Sequence, residues 1–232
     1  MAKQAKNKPV VRKKSETAPL KTVPVQERVL AKTTEILDPG YAAYWPYVIT
    51  AIFFGLSLLG ILKHEMWRDE YQAWMVAADA HSIPQLFQNL KYEGNPVLWH
   101  AFLFIITTFT DNPFGMQIFH ILISAGFIFL INRYAPFNLL QKILLTFGYY
   151  TFYEYNIISR GYGLGLLLIV AFCILYAQRQ KHILWIAAVL FVLANSTIFG
   201  VMLAVCFDGI ILMEQLFLSK KSRALKIPPS RL

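Results

Sequence analysis

Charge is scarce in this sequence. Only 15% of its 232 residues are Asp, Glu, Lys or Arg, against about 25% in a soluble globular domain. That deficit excludes an ordinary water-facing domain as the main architecture. Cysteine is scarcer still. Cys173 and Cys206 both lie inside long apolar runs, which excludes a secreted disulfide scaffold. Polar, aperiodic sequence is confined to the first forty or so residues, so the rest is not disordered. There is no phosphate-cradling glycine loop and no nucleophile elbow. His64, His81, His100 and His120 show no metal-ligand spacing. A nucleotide-sugar site is unsupported.

What the chain has instead is apolar sequence: 56% hydrophobic residues, including 18 Phe and 12 Tyr. The first run, Trp45 to Leu62, is long enough to cross a bilayer, and Tyr41, Tyr44, Trp45 and Tyr47 form an aromatic belt at its start. Later runs cover Phe114–Ile131, Phe137–Tyr155, Gly161–Ala177 and Ile183–Leu218. The last is too long for one helix and is expected to turn near Asn195-Ser196-Thr197. The expectation is an all-α, polytopic bundle of about six spans, at 45–62, 114–131, 137–155, 161–177, 183–196 and 199–218. Residues 1–43 read as a disordered basic cytoplasmic tail, 44–218 as the transmembrane module, and 219–232 as a second basic cytoplasmic tail.

The stretch Val97–Thr110 is apolar but short, bounded by Pro96, Asp111 and Pro113. Its length favours a re-entrant or interfacial segment. The distribution of cations tests that independently. If Val97–Thr110 does not cross, the cytoplasmic side holds the nine Lys and Arg of the tail. It also holds Arg133, Lys142, Arg179 and Lys181, and Lys220, Lys221, Arg223, Lys226 and Arg231. These are 18 of the 22 cations, and only Lys63, Arg68, Lys91 and Arg160 face out. The net charge of +9 is thus a topology signal. The cations do not gather in a patch with interleaved stacking aromatics, so nucleic-acid binding is excluded. The expected location is a bacterial inner membrane, with the N-terminus cytoplasmic.

Residues 63–113 then form one outer loop, carrying Glu65, Asp69, Glu70, Asp79, Glu93 and Asp111. Within it, Trp67, Tyr71, Trp74, Met75 and Ala78 share a face at helical spacing, as a juxtamembrane amphipathic helix would. Asp69 with Gln72 matches a capping box, and Ser82 is a natural N-cap for a second short helix. The adjacent Asp69-Glu70 pair is also a candidate for acid–base work, because apolar surroundings raise a carboxyl's pKa.

The set formed by Asp69-Glu70, the turn Glu93-Gly94-Asn95-Pro96-Val97-Leu98, and Tyr155 to Tyr162 at the next outer loop resembles the GT-C membrane glycosyltransferases. The closest likeness is to the protein O-mannosyltransferases and aminoarabinose transferases, over residues 44–178. In that family the turn often reads His-Pro-Pro-Leu. Members usually carry more spans, so the resemblance implies an N-terminal portion of such an enzyme.

The resemblance implies a sugar donor on a polyprenyl phosphate, transferred at the outer face. Asp69 would be the base, Glu70 would position the acceptor or loop, and Glu154 could be the second acid. Arg160, lying beside Gly161 and Gly163, would hold the phosphate, with Lys91 and Arg68 as further cations and Tyr162 and Asn95 in the binding site. No cofactor is evident. A divalent metal is possible, but no ligand spacing supports one. The partners implied are the lipid-linked donor and membrane lipids, with further membrane subunits or a C-terminal part beyond Leu232 left open. A transporter or flippase of a lipid-linked substrate, or a non-catalytic membrane remnant, are the competing readings.

Overall fold

A computed structural model describes residues 43–224, with side chains to residue 217. The expected tail before residue 43 and the chain end after residue 224 lie outside the described residues. Within them the chain is all-α. The helices are α1 (Trp45–Ile61), α2 (Arg68–Ala78), α3 (Ile83–Asn89), α4 (Leu98–Thr107), α5 (Phe114–Tyr134), α6 (Leu139–Phe147), α7 (Tyr162–Tyr176), α8 (Ile183–Ala194) and α9 (Ile198–Ala224). A 3₁₀ turn covers Leu90–Tyr92, and a π turn covers Tyr150–Glu154.

Local chemistry sets several boundaries. Pro46 sits in the first turn of α1, where no N–H is needed. Ser82 caps α3 as expected, its Oγ accepting from Gln85 N at 3.4 Å. Asn138 and Gln141 cap α6 reciprocally, at 2.9 and 3.1 Å. The expected span 137–155 is interrupted at Gly148, where the backbone turns extended. A Cβ there would lie 2.8 Å from the Leu144 carbonyl. The helix resumes only as the π turn, closed by Tyr155 N donating to Tyr150 O. At the other end α9 continues helical to Ala224, into the segment expected as a tail.

Among the described residues, two helices are long and apolar enough to cross a membrane: α5, and α9 over Ile198–Phe217. The other apolar helices, α1, α4, α7 and α8, have 10 to 17 residues. Neighbours pack in the order α1, α5, α7, α8, α9. Phe53 of α1 meets Phe127, Ile128 and Ile131 of α5. Phe172 of α7 meets Ile186, Leu190 and Leu193 of α8 and Ala204 of α9. Helices α2 and α4 pack on each other and against α5 and α7, through Trp74, Ala77, Trp99 and Leu103 against Met116, Ile123 and Leu164.

Large apolar side chains remain exposed on α1, α8 and α9, among them Leu59, Leu184, Phe191, Met202 and Phe217. Asp208 lies on the exposed part of α9. At the C-terminal end of α5, Lys142 Nζ donates to the Asn132 carbonyl at 2.9 Å. There a cation also complements the helix dipole.

Candidate functional site

The capping of α2 differs from the expected Asp69–Gln72 box. The helix begins two residues earlier, with Trp67 as N-cap. Glu70, in the third helical position, closes the turn, because Trp67 N donates to Glu70 Oε2 at 2.8 Å. Glu70 is fully buried. His64 Nε2 donates to the same oxygen at 2.9 Å. Ser159 N donates to the other, Oε1, at 2.6 Å. One carboxylate thus ties the end of α1, the start of α2 and the segment before α7. Glu70 also sets which face of α2 packs inward. The buried residues are Glu70, Trp74 and Ala77, whereas Trp67, Tyr71 and Met75 stay partly exposed.

Directly beside this buried junction lies an exposed ion pair. Arg160 Nη2 donates to Asp69 Oδ2 at 2.8 Å, across 91 residues of sequence. The guanidinium carbon is 5.5 Å from the centre of the Trp67 ring. Since Ser159 is bound to Glu70 and Asp69 precedes Glu70, the same carboxylate registers both halves of the pair.

The pair opens into a cleft of about 200 Å³. Asp69, Gln72 and Ala73 line it from α2, and Glu93 and Asn95 from the turn. Trp99 and His100 contribute from α4, Ser159 to Tyr162 from the start of α7, and Ser196 and Thr197 from the turn before α9. Four helices, α2, α4, α7 and α9, therefore bring their N-terminal ends to one space. The positive dipole end makes each such terminus favourable for an anion, although Leu98 N of α4 and Ile198 N and Gly200 N of α9 already donate within the protein. Two side-chain donors add to this. Trp99 Nε1 and Arg160 Nε are buried and have no hydrogen-bond partner among the described residues, and neither can accept. Ser159 Oγ and His100 Nδ1 are likewise buried and unpartnered there. Buried polar groups are ordinarily satisfied, so residues that line the cleft carry buried hydrogen-bonding groups left unused among the described residues.

The turns on either side are fastened together. Leu98 N donates to Asn195 O at 3.2 Å, and Ile198 N donates to Asn95 Oδ1 at 3.4 Å. Burial holds the His100 pKa below its ordinary 6.5, partly offset by the charge of Glu93. Glu93 itself accepts from Gln72 Nε2 at 2.8 Å.

Next to the polar cleft lies a second, mostly apolar groove of about 190 Å³. Tyr162 and Thr197 line both. The groove continues along Leu166, Ile169, Leu193, Phe199 and Leu203, between α7, α8 and α9.

Of the residues singled out from the sequence, Asp69, Asn95, Arg160 and Tyr162 line the cleft, and Glu70 lies beneath it. Glu154, Lys91 and Arg68 do not line it. Lys91 Nζ stands 5.7 Å from the Tyr92 ring centre. The sequence reading missed Trp99, His100, Ser159 and Thr197 as cleft residues, and used Glu93 only as part of a turn. Among the described residues no group of three or more His, Cys, Asp or Glu is placed to hold a metal ion. No family model, curated protein or solved structure matches the chain.

Proposed function

We propose that the chain is a membrane-embedded glycosyltransferase of the GT-C kind, or a part of one, acting on a polyprenyl-phosphate sugar. The observation that carries this reading is the junction of the polar cleft with the apolar groove at Tyr162 and Thr197. An amphiphile with an anionic head and a hydrocarbon tail fits such a pair of spaces. The head meets the N-termini of α7 and α9 and Arg160, and the tail lies along Leu166, Ile169 and Leu203.

In the reaction, Asp69 takes the proton of the acceptor hydroxyl. The acceptor oxygen bonds the anomeric carbon, the bond from that carbon to the phosphate oxygen breaks, and the phosphate leaves with the electron pair. Arg160 stabilises that leaving charge. The Asp69–Arg160 ion pair suits this division of labour. A phosphate that takes over Arg160 releases Asp69 to serve as the base.

The six-span topology belongs to the same proposal. Every residue lining the cleft comes from an expected outer loop or from the outer end of an expected span, 161–177 or 183–196. The short helices α1, α7 and α8, and the interrupted unit of α6 and the π turn, then cross where the bilayer thins locally, with N-terminus and C-terminus both cytoplasmic.

The test is sugar transfer, from a set of polyprenyl-phosphate donors, by membranes carrying the full chain. Asp69→Asn is expected to abolish transfer while donor binding persists, and Arg160→Ala is expected to weaken binding. Full activity of Asp69→Asn refutes the base assignment. An inert wild-type chain that binds no lipid phosphate refutes the enzyme reading.

A further inference from the structure

The cleft is chemically lopsided. Arg160 and the start of α7 line one part of it, and the lining residues Trp99 and Ser159 carry the buried, unpartnered donors Nε1 and Oγ. Glu93 brings a second carboxylate, and no ion pair engages it among the described residues. An anion bound among the donors is repelled by Glu93, so the uncharged part of the same ligand extends toward Glu93. Close to that carboxylate sits His100, whose side chain is almost wholly buried and whose Nδ1 has no partner among the described residues. Gln72 holds one oxygen of Glu93 and leaves the other available. A carboxylate accepts hydrogen bonds from hydroxyls, and an imidazole nitrogen supplies a second contact. The cleft volume is well below the roughly 300 Å³ at which pockets for drug-sized ligands begin, a scale suited to a single small ring.

We propose that Glu93 and His100 form the sugar-reading end of the cleft, binding neighbouring hydroxyls of the transferred monosaccharide while the phosphate occupies the donor-rich end. This rests on the lipid-phosphate reading above. It assigns specificity to two residues that take no part in the bond-making step. Burial, which disfavours the charged imidazolium, suits a neutral imidazole that makes such a contact at neutral pH.

The experiment measures binding to the full chain in nanodiscs. The probes are undecaprenyl phosphate and its glucose, mannose and arabinose derivatives. The wild type is expected to prefer at least one sugar-bearing lipid over the bare phosphate. Glu93→Gln and His100→Gln are expected to lose that preference by roughly tenfold or more, while bare-lipid binding persists in both and tightens in Glu93→Gln, which removes a charge that repels the phosphate. Bare-lipid binding also reports folding. Should His100→Gln fail to fold, the partly exposed Glu93→Gln decides the matter. Unchanged sugar preference in a folded variant overturns the proposal. So does a wild type that binds all four lipids alike, which leaves the lipid-phosphate reading standing. A wild type that binds none overturns both.

Discussion

Glu70 and Asp69 are adjacent in sequence and opposite in their expected response to mutation. Glu70 is fully buried and accepts from His64 Nε2, Trp67 N and Ser159 N. Glu70→Ala leaves these three donors without an acceptor. The two backbone groups cannot rotate away, and each buried donor left unpaired costs about 1–3 kcal/mol. Allowing partial rescue by water at the helix start, the expected loss is about 3 kcal/mol or more. Asp69 keeps two-thirds of its side chain exposed in its pair with Arg160. Asp69→Asn removes a surface ion pair and is expected to cost about 0–1 kcal/mol. The assay is reversible denaturant unfolding of the full chain in mixed micelles, followed by the fluorescence of Trp67, Trp74 and Trp99. Donor binding is measured in parallel. Stability should fall in Glu70→Ala and not in Asp69→Asn, whereas catalysis should fall in both. A Glu70→Ala protein within about 0.5 kcal/mol of wild type, the range of an ordinary surface substitution, refutes the junction argument.

Further outcomes follow from other sites. His100 has its pKa held below 6.5 in the folded protein by burial. As pH falls through 6.5 the unfolded chain takes up a proton that the folded one refuses. The contribution of His100 is therefore fully present above that pH and lost below it, and His100→Gln should flatten this part of a stability–pH profile. Gly163→Ala places a Cβ 2.7 Å from His120 Nε2 and 3.1 Å from Tyr155 O. A loss of about 1–3 kcal/mol is expected on unfolding, whereas Gly209→Ala, with nothing within 4 Å, should be neutral or stabilising. Asn138→Ala removes the reciprocal cap of α6 and should cost about 1 kcal/mol in the same assay. Reporter enzymes fused after Gly94 and after Asp111 should report the same side of the membrane, and opposite sides refute the non-crossing placement of α4.

Local signals in the sequence survive well where the cause is local. Ser82 marks the start of α3 because its hydroxyl serves a donor three residues away. Leu98–Thr107 remains a short helix, as expected from the Pro96 and Pro113 that flank its apolar run. The break at Gly148 was also written locally, but mean hydropathy across 137–155 is blind to it. The α2 start went astray for another reason. Asp69–Gln72 and Trp67–Glu70 offer the same three-residue spacing. The choice between them is made by Ser159 and His64, which lie outside the helix and draw Glu70 inward.

The site was legible in its parts and not in its assembly. Asp69 stood out by type and position, and Arg160 by being a cation on the wrong side of the charge distribution. Their pairing across 91 residues has no sequence signature. Glu154, the expected second acid, lies in the π turn and does not line the cleft. Trp99 and Thr197 carry no local mark at all. They matter because two turns, at Asn95 and Asn195, are bonded backbone to backbone and backbone to side chain. That contact is what brings the N-termini of α4 and α9 onto the same space. It follows that Asn95 acts on the cleft through the Ile198 N–H that it accepts. Asn95→Ala should loosen the α9 side of the cleft and weaken lipid-phosphate binding, while Asn95→Asp, which keeps an acceptor oxygen at that place, should preserve the turn. Equal destabilisation of both variants on unfolding would mean that the acceptor oxygen for Ile198 N is not what holds the turn, and that the contact to α9 is incidental.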